Sequence, residues 1–144
     1  MDGPLLRGGP RRRIFHIKQI LLILAVVVVV GCSPTVEFAD PIVEKTIRAK
    51  LNKPTGELTK ADVEKVVNLD LRSNQLTDVT GLEKLTQLTY LSFRGNRLAS
   101  VKGLEKLDQL TKLNLLNNPD LTKAQIDQLQ KALPKCAILS NPTK

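Results

Sequence analysis

Residues 81–89 read GLEKLTQLT and residues 103–111 read GLEKLDQLT, so a nine-residue stretch returns 22 positions later with one change. The same interval relates Leu69, Leu91 and Leu113, then Leu71, Phe93 and Leu115, then Asn74, Asn96 and Asn118. A fixed period of roughly 20 to 50 residues marks units that cannot bury their apolar faces alone and must stack on their neighbours. The chain is therefore expected to be a short stacked array in which every repeat contributes the same positions to one continuous core.

The three sets fall on the pattern L-x-x-L-x-L-x-x-N, and on these residues the chain resembles the leucine-rich-repeat proteins. Leu69 and Leu71 alternate with polar neighbours, as a strand with one buried face does. The Asn three residues after the second Leu can bond turn backbone that stacking would otherwise strand. On the return side, Leu82, Leu85 and Leu88, like Leu104, Leu107 and Leu110, are spaced by three, which matches a 3₁₀ helix.

The third repeat changes character. Thr122 and Gln125 form a capping box with Leu121 and Ile126 as a staple, and Ile126, Leu129 and Leu133 follow at α-helical spacing before Pro134. Cys136, Ile138 and Asn141 then restate the template. This reading aligns Cys136 with Leu113, makes a fourth strand, and adds Asn141 as a fourth turn asparagine. Cys136 is expected in the core as a small apolar residue.

Upstream, Asp40 and Pro41 open a helix whose stripe is Ile42, Val43, Ile47 and Leu51. Thr59 and Asp62 form a second capping box, stapled by Leu58 and Val63. A stack exposes its apolar end unless it is capped, and these helices fit that role. A helical cap followed by 22-residue repeats resembles the internalin type of bacterial leucine-rich-repeat protein, over about residues 38–141. The expected fold is α/β: a short leucine-rich-repeat solenoid with four parallel strands on the concave face, a helical N-terminal cap and a mixed 3₁₀ and α convex side.

The start of the chain reads as an address. Arg11, Arg12 and Arg13 precede an apolar run over residues 20–30, which ends Val29-Val30-Gly31-Cys32. Basic segment, short apolar run and small residue are the layout of a secretory signal peptide. The run is short for a bilayer span, which takes about 20 residues; extending it back to Ile14, across His16 and Lys18, gives a marginal transmembrane helix as the alternative. The last four residues resemble the lipobox of bacterial lipoproteins. That resemblance implies cleavage before Cys32, a lipid on its sulfur, and export to a bacterial membrane facing the periplasm or exterior. Ser33 in place of Asp implies the outer membrane in a Gram-negative cell. The division expected is residues 1–31 signal peptide, 32–39 tether, 40–66 helical cap and 67–144 repeats.

Charge and chemistry narrow the function. Half of the net charge of +8 lies in the first 32 residues, and aromatics make up only 3% of the chain. No arginine-rich run and few stacking side chains remain, which argues against a nucleic-acid partner. The one histidine, His16, falls in the segment expected to be removed. Without it there is no Ser-His or Cys-His pair, no gathered metal-ligand set and no phosphate-binding glycine loop. Glu83-Lys84 and Glu105-Lys106 lie between core leucines and read as a solvated outer arc. No enzyme, cofactor or metal is expected, and the protein is expected to be a monomer.

What remains is the outward side of the strands. One column is Asn68, Tyr90, Lys112 and Lys135; the next is Asp70, Ser92, Asn114 and Ala137; the third is Arg72, Arg94, Leu116 and Leu139. Tyr, Arg and Leu together suit an interface, and in leucine-rich-repeat proteins this face receives the partner. The expected role is a membrane-anchored binding module for a protein or cell-envelope ligand, contacting it through Asn68, Asp70, Arg72, Tyr90, Ser92, Arg94, Lys112, Asn114 and Leu116. The alternative is a structural envelope lipoprotein without a specific partner.

Overall fold

In a computed structural model of the chain, residues 34–141 are described. Cys32 and the apolar run before it lie outside them. Helix α1 spans Pro41–Lys50, and Asp40 caps it by accepting the Ile42 N–H at 2.7 Å. Its inward stripe is Val43 and Ile47, both buried, with Ile42 and Leu51 packed at the margin. The short helix α2, Lys60–Val63, starts at the Thr59–Asp62 capping box. Thereafter the chain winds as coils. Strands β1 (Asn68–Asp70), β2 (Tyr90–Ser92), β3 (Lys112–Asn114) and β4 (Ala137–Leu139) form one parallel sheet in sequence order.

The core is the set of 22-residue columns that the period requires. Leu69, Leu91 and Leu113 form one buried column, and Leu71, Phe93 and Leu115 form the next. Leu82, Leu85 and Leu88 with Leu104, Leu107 and Leu110 close the return side, at 2% exposure or less. The 3₁₀ turns Leu82–Lys84 and Leu104–Lys106 carry these leucines inward at every third residue. Each turn begins at a glycine of positive φ, Gly81 at 95° and Gly103 at 103°, a conformation that side chains resist. The repeated Glu holds that glycine in place: Glu83 accepts the Gly81 N–H at 2.8 Å and Glu105 the Gly103 N–H at 2.6 Å. These carboxylates on the outer arc are therefore turn locks as well as solvated charges.

In the third coil the 3₁₀ turn is replaced by α3, Lys123–Ala132, capped by Thr122 and Gln125 as the spacing predicts. This substitution corrects the register of β4. Ala137, Ile138 and Leu139 pair with Lys112, Leu113 and Asn114, so the last coil advances 25 residues rather than the 23 that the template implied. An α-helix rises about 1.5 Å per residue against about 2.0 Å for a 3₁₀ helix, and the ten-residue helix consumes more chain before the next strand can begin. Cys136 is buried, but in the bend between α3 and β4. Its N–H donates to the Leu133 carbonyl, and Gln130 Nε2 donates to the Cys136 carbonyl at 3.0 Å. Asn141 is exposed and bonds Asn117, accepting its N–H at 2.7 Å, so it is not a fourth buried turn asparagine.

The stretch expected as a tether is also partly structured. Thr35 bridges Thr59 in antiparallel fashion, and the Val36 N–H donates to Leu58 O at 2.8 Å. Val36 and Phe38 pack against the core, while Lys84 Nζ donates to the Glu37 carbonyl at 3.0 Å. Residues 35–38 thus bind the cap to the first repeat. No helix among the described residues is long and apolar enough to cross a membrane.

Candidate functional site

Strand register sets the grid of the concave face. Asn68, Tyr90, Lys112 and Ala137 form the first column, and Asp70, Ser92, Asn114 and Leu139 the second. The third column continues past the strands: Ser73 N donates to Arg94 O, and Gly95 N to Leu116 O, so Arg72, Arg94 and Leu116 keep step. The β4 register therefore brings Ala137 beside Lys112, where Lys135 was expected, and puts Leu139 beside Asn114, where Ala137 was expected.

The nine candidate residues share the face but differ in what they offer. Asn68, Asp70, Arg72, Arg94 and Lys112 are exposed; Tyr90, Asn114 and Leu116 are half-buried. Ser92 is only 2% exposed and cannot meet a partner until its neighbours move. Asp70 and Asn114 hold equivalent positions with equivalent local duties. The Asp70 carboxylate accepts the Arg72 N–H at 3.2 Å, and Asn114 Oδ1 accepts the Leu116 N–H at 3.1 Å. Such bonding to backbone two residues on shapes the strand exit.

Arg72 is committed within the molecule. Its Nε donates to Asp70 Oδ2 at 2.7 Å, and its Nη2 donates to the same oxygen. Arg72 is the main cause of the Asp70 carboxyl lying below the usual carboxylate range, with Lys50 at the end of α1 a smaller contributor. Of the two arginines in the third column, Arg72 is thus held in an internal ion pair and Arg94 presents an open guanidinium. Neither the Arg94 guanidinium nor the Lys112 ammonium has a hydrogen-bonding or ionic partner among the described residues. Leu139, at 41% exposure, adds an apolar side chain that the misaligned fourth strand had placed one column away. Among the described residues no group of three or more His, Cys, Asp or Glu could hold a metal ion. The face offers shape, charge and apolar contact.

The sequence model of leucine-rich repeats in two copies matches residues 86–131. No curated protein matches the chain. Among solved structures, the chain is similar to an internalin (inlF) from Listeria monocytogenes, at 24% identity and a TM-score of 0.63 over 74% of this chain and 32% of that one. It is similar to the functional domain of InlJ from the same organism, at 27% identity and a TM-score of 0.61 over 74% of this chain and 24% of that one. Internalin C2, also from Listeria monocytogenes, aligns at 20% identity and a TM-score of 0.53 over 79% of this chain and 62% of that one. In each case the chain spans less than two thirds of the solved chain's length. The fold of residues 34–141 is that of a leucine-rich-repeat solenoid of the internalin type.

Proposed function

We propose that this chain is an extracytoplasmic binding module, held to a bacterial membrane by a lipid on Cys32, that takes a protein partner on its concave face. The observation that carries the binding reading is a surplus of surface chemistry. Tyr90, Arg94 and Lys112 stand on a face whose folding needs are met by backbone pairing and by the turn bonds of Asp70 and Asn114. The internalin-like fold supports a protein-binding role for that face. The apolar run ending at Gly31-Cys32 supports the anchor and the division of residues 1–31, 32–39, 40–66 and 67–144, with the docking of residues 35–38 shortening the tether.

A four-strand face about 15 to 20 Å wide is narrow beside the roughly 800 Å² per partner of a standard interface. Single-molecule affinity is therefore modest, and many copies in one membrane raise it by avidity. Crosslinking pull-down from the native cell tests the binding reading. Tyr90→Ala with Lys112→Ala should lose the captured partner while the melting temperature is unchanged; undiminished capture by this variant moves the surface elsewhere. Intact mass tests the anchor: the expected product begins at Cys32 and carries acyl chains, and Cys32→Ser lacks them. An unmodified chain starting at Met1 removes the anchor from the proposal.

A further inference from the structure

The concave face is electrostatically divided. Its β1 side is closed on itself, because Asp70, the only carboxylate on the face among the described residues, is bound by the guanidinium of Arg72. The side built by β2, β3 and β4 has two cations without partners among the described residues, Arg94 at one end and Lys112 at the other. The half-buried Tyr90 stands beside Lys112, the half-buried Leu116 beside Arg94, and the exposed Leu139 beside Asn114 in the middle column. Arg94 keeps step with Leu116, two residues past the end of β3 and four along from Lys112, so the backbone positions of the two cations lie up to about 13 Å apart in the strand direction and one strand apart across it.

Resting on the concave-face reading above, we infer that the partner presents an extended acidic segment with two carboxylates four residues apart and an apolar side chain midway. In an extended chain residues i, i+2 and i+4 share one side, and four residues cover about 13 Å. One carboxylate then meets the forked donors of Arg94, a geometry that guanidinium matches with two parallel bonds. The other meets the Lys112 ammonium, and the central apolar side chain lies over the middle column, where the exposed Leu139 stands beside Asn114. An acid at only one end leaves the second cation unpaired, and a basic segment is repelled at both. The internal pair has a further consequence: replacing the Asp70 carboxylate frees Arg72 as a third donor and removes a competing negative charge.

The test uses full-length protein in nonionic detergent and three labelled synthetic peptides: GETLTEG, its lysine counterpart GKTLTKG, and the neutral GQTLTQG. Fluorescence anisotropy should show the acidic peptide binding at least about tenfold tighter than the other two. Arg94→Ala and Lys112→Ala should each weaken it severalfold and together abolish it, while Asp70→Asn should strengthen it severalfold. Added salt should weaken it. If the neutral or basic peptide binds equally well and Tyr90→Ala abolishes that binding, the concave face stands as the site and the acidic specificity is wrong. If the double variant binds the acidic peptide as the native protein does, the binding surface is elsewhere and both readings fall. Binding of none of the peptides at millimolar concentration overturns the inference. So does cation-dependent binding to vesicles of phosphatidylglycerol and phosphatidylcholine without peptide binding, which assigns the cations to a lipid surface.

Discussion

The side-chain Oδ1 of Asn96 lies 2.9 Å from the backbone nitrogen of Leu76, in the coil before its own. The same oxygen accepts the Asn74 N–H at 3.0 Å, and the amide nitrogen donates to Leu71 O at 2.8 Å and Phe93 O at 2.7 Å. One buried side chain thus satisfies four backbone groups of two coils, and water cannot replace it. Asn96→Ala is expected to destabilise the protein by about 3 kcal/mol, since buried groups left unpaired cost about 1–3 kcal/mol each. Asn117 is the control, with its side chain exposed and its φ at 59°. Asn117→Gly keeps that backbone accessible and should change stability by less than about 1 kcal/mol. Equal losses in denaturant melts would show that the turn amide does not join the coils.

Gly81 and Gly103 share a conformation and differ in their surroundings. A Cβ on Gly81 would lie 3.1 Å from Glu37 O and 3.2 Å from Phe38 Cα, whereas on Gly103 the nearest atom is a carboxylate oxygen of Glu83 at 3.7 Å, an ordinary van der Waals contact. Positive φ alone costs an alanine about 1–2 kcal/mol. Gly103→Ala should lose about that much, and Gly81→Ala more, because residues 36–38 must also move away. Hydrogen exchange separates the two. The Val36 N–H, bonded to Leu58 O, should lose protection in Gly81→Ala and keep it in Gly103→Ala. Retained protection in both would mean that Gly81 does not seat this segment.

These contrasts show what a sequence can display. The columns through Leu91, Phe93 and Asn96 are legible because stacking imposes one interval on every residue that points inward. The caps at Asp40, Thr59 and Thr122 are legible because donor and acceptor lie within three residues of each other. The docking of Val36 and Phe38 is a long-range contact made by residues outside any period, and no local pattern signals it. The β4 register depends on how much chain α3 consumes, and Cys136 and Ile138 imitate the L-x-L spacing closely enough to mislead. On the concave face, the columns follow from the period, but the ion pair between Asp70 and Arg72 and the covering of Ser92 depend on rotamers. The Asp two residues before an Arg was the one available signal, since carboxylates at strand exits bond backbone at that spacing.

Asp62 carries the charge dependence of the cap. Its carboxylate accepts from Lys53 Nζ at 2.6 Å and from the Thr59 N–H at 3.0 Å, as well as from the Thr59 hydroxyl. The bond from Lys53, first, and those from Thr59 hold its pKa well below the usual carboxylate range. A depressed folded pKa gives stability that is full above the unfolded value, near pH 4, and is lost as pH falls through the folded one. Asp62→Asn preserves an acceptor for Thr59 but loses the ionic bond. It should melt below the native protein at pH 7, and the gap should narrow as the pH is lowered from about 4 toward 2. A gap independent of pH would show that the carboxylate acts only as a neutral hydrogen-bond acceptor. Carbon-detected NMR provides a second check, with the Asp62 carboxyl still ionised at about pH 3.

The 25-residue advance of the last coil can be tested in solution. Ala137 stands directly beside Lys112 on the concave side, with Leu139 beside Asn114. Opposite charges on neighbouring positions of a sheet attract by about 0.2–1 kcal/mol. Ala137→Glu should therefore couple to Lys112. In a double-mutant cycle, the gain from Ala137→Glu should vanish when Lys112 is replaced by Ala, leaving a coupling energy in that range at low salt. The register read from the repeat template instead sets residue 137 beside Asn114 and residue 135 beside Lys112. It predicts no direct coupling of a glutamate at 137 to Lys112 and a comparable coupling from Lys135→Glu. Melts of these variants at two salt concentrations distinguish the registers, because the ionic coupling weakens with salt and an indirect effect of altered packing does not.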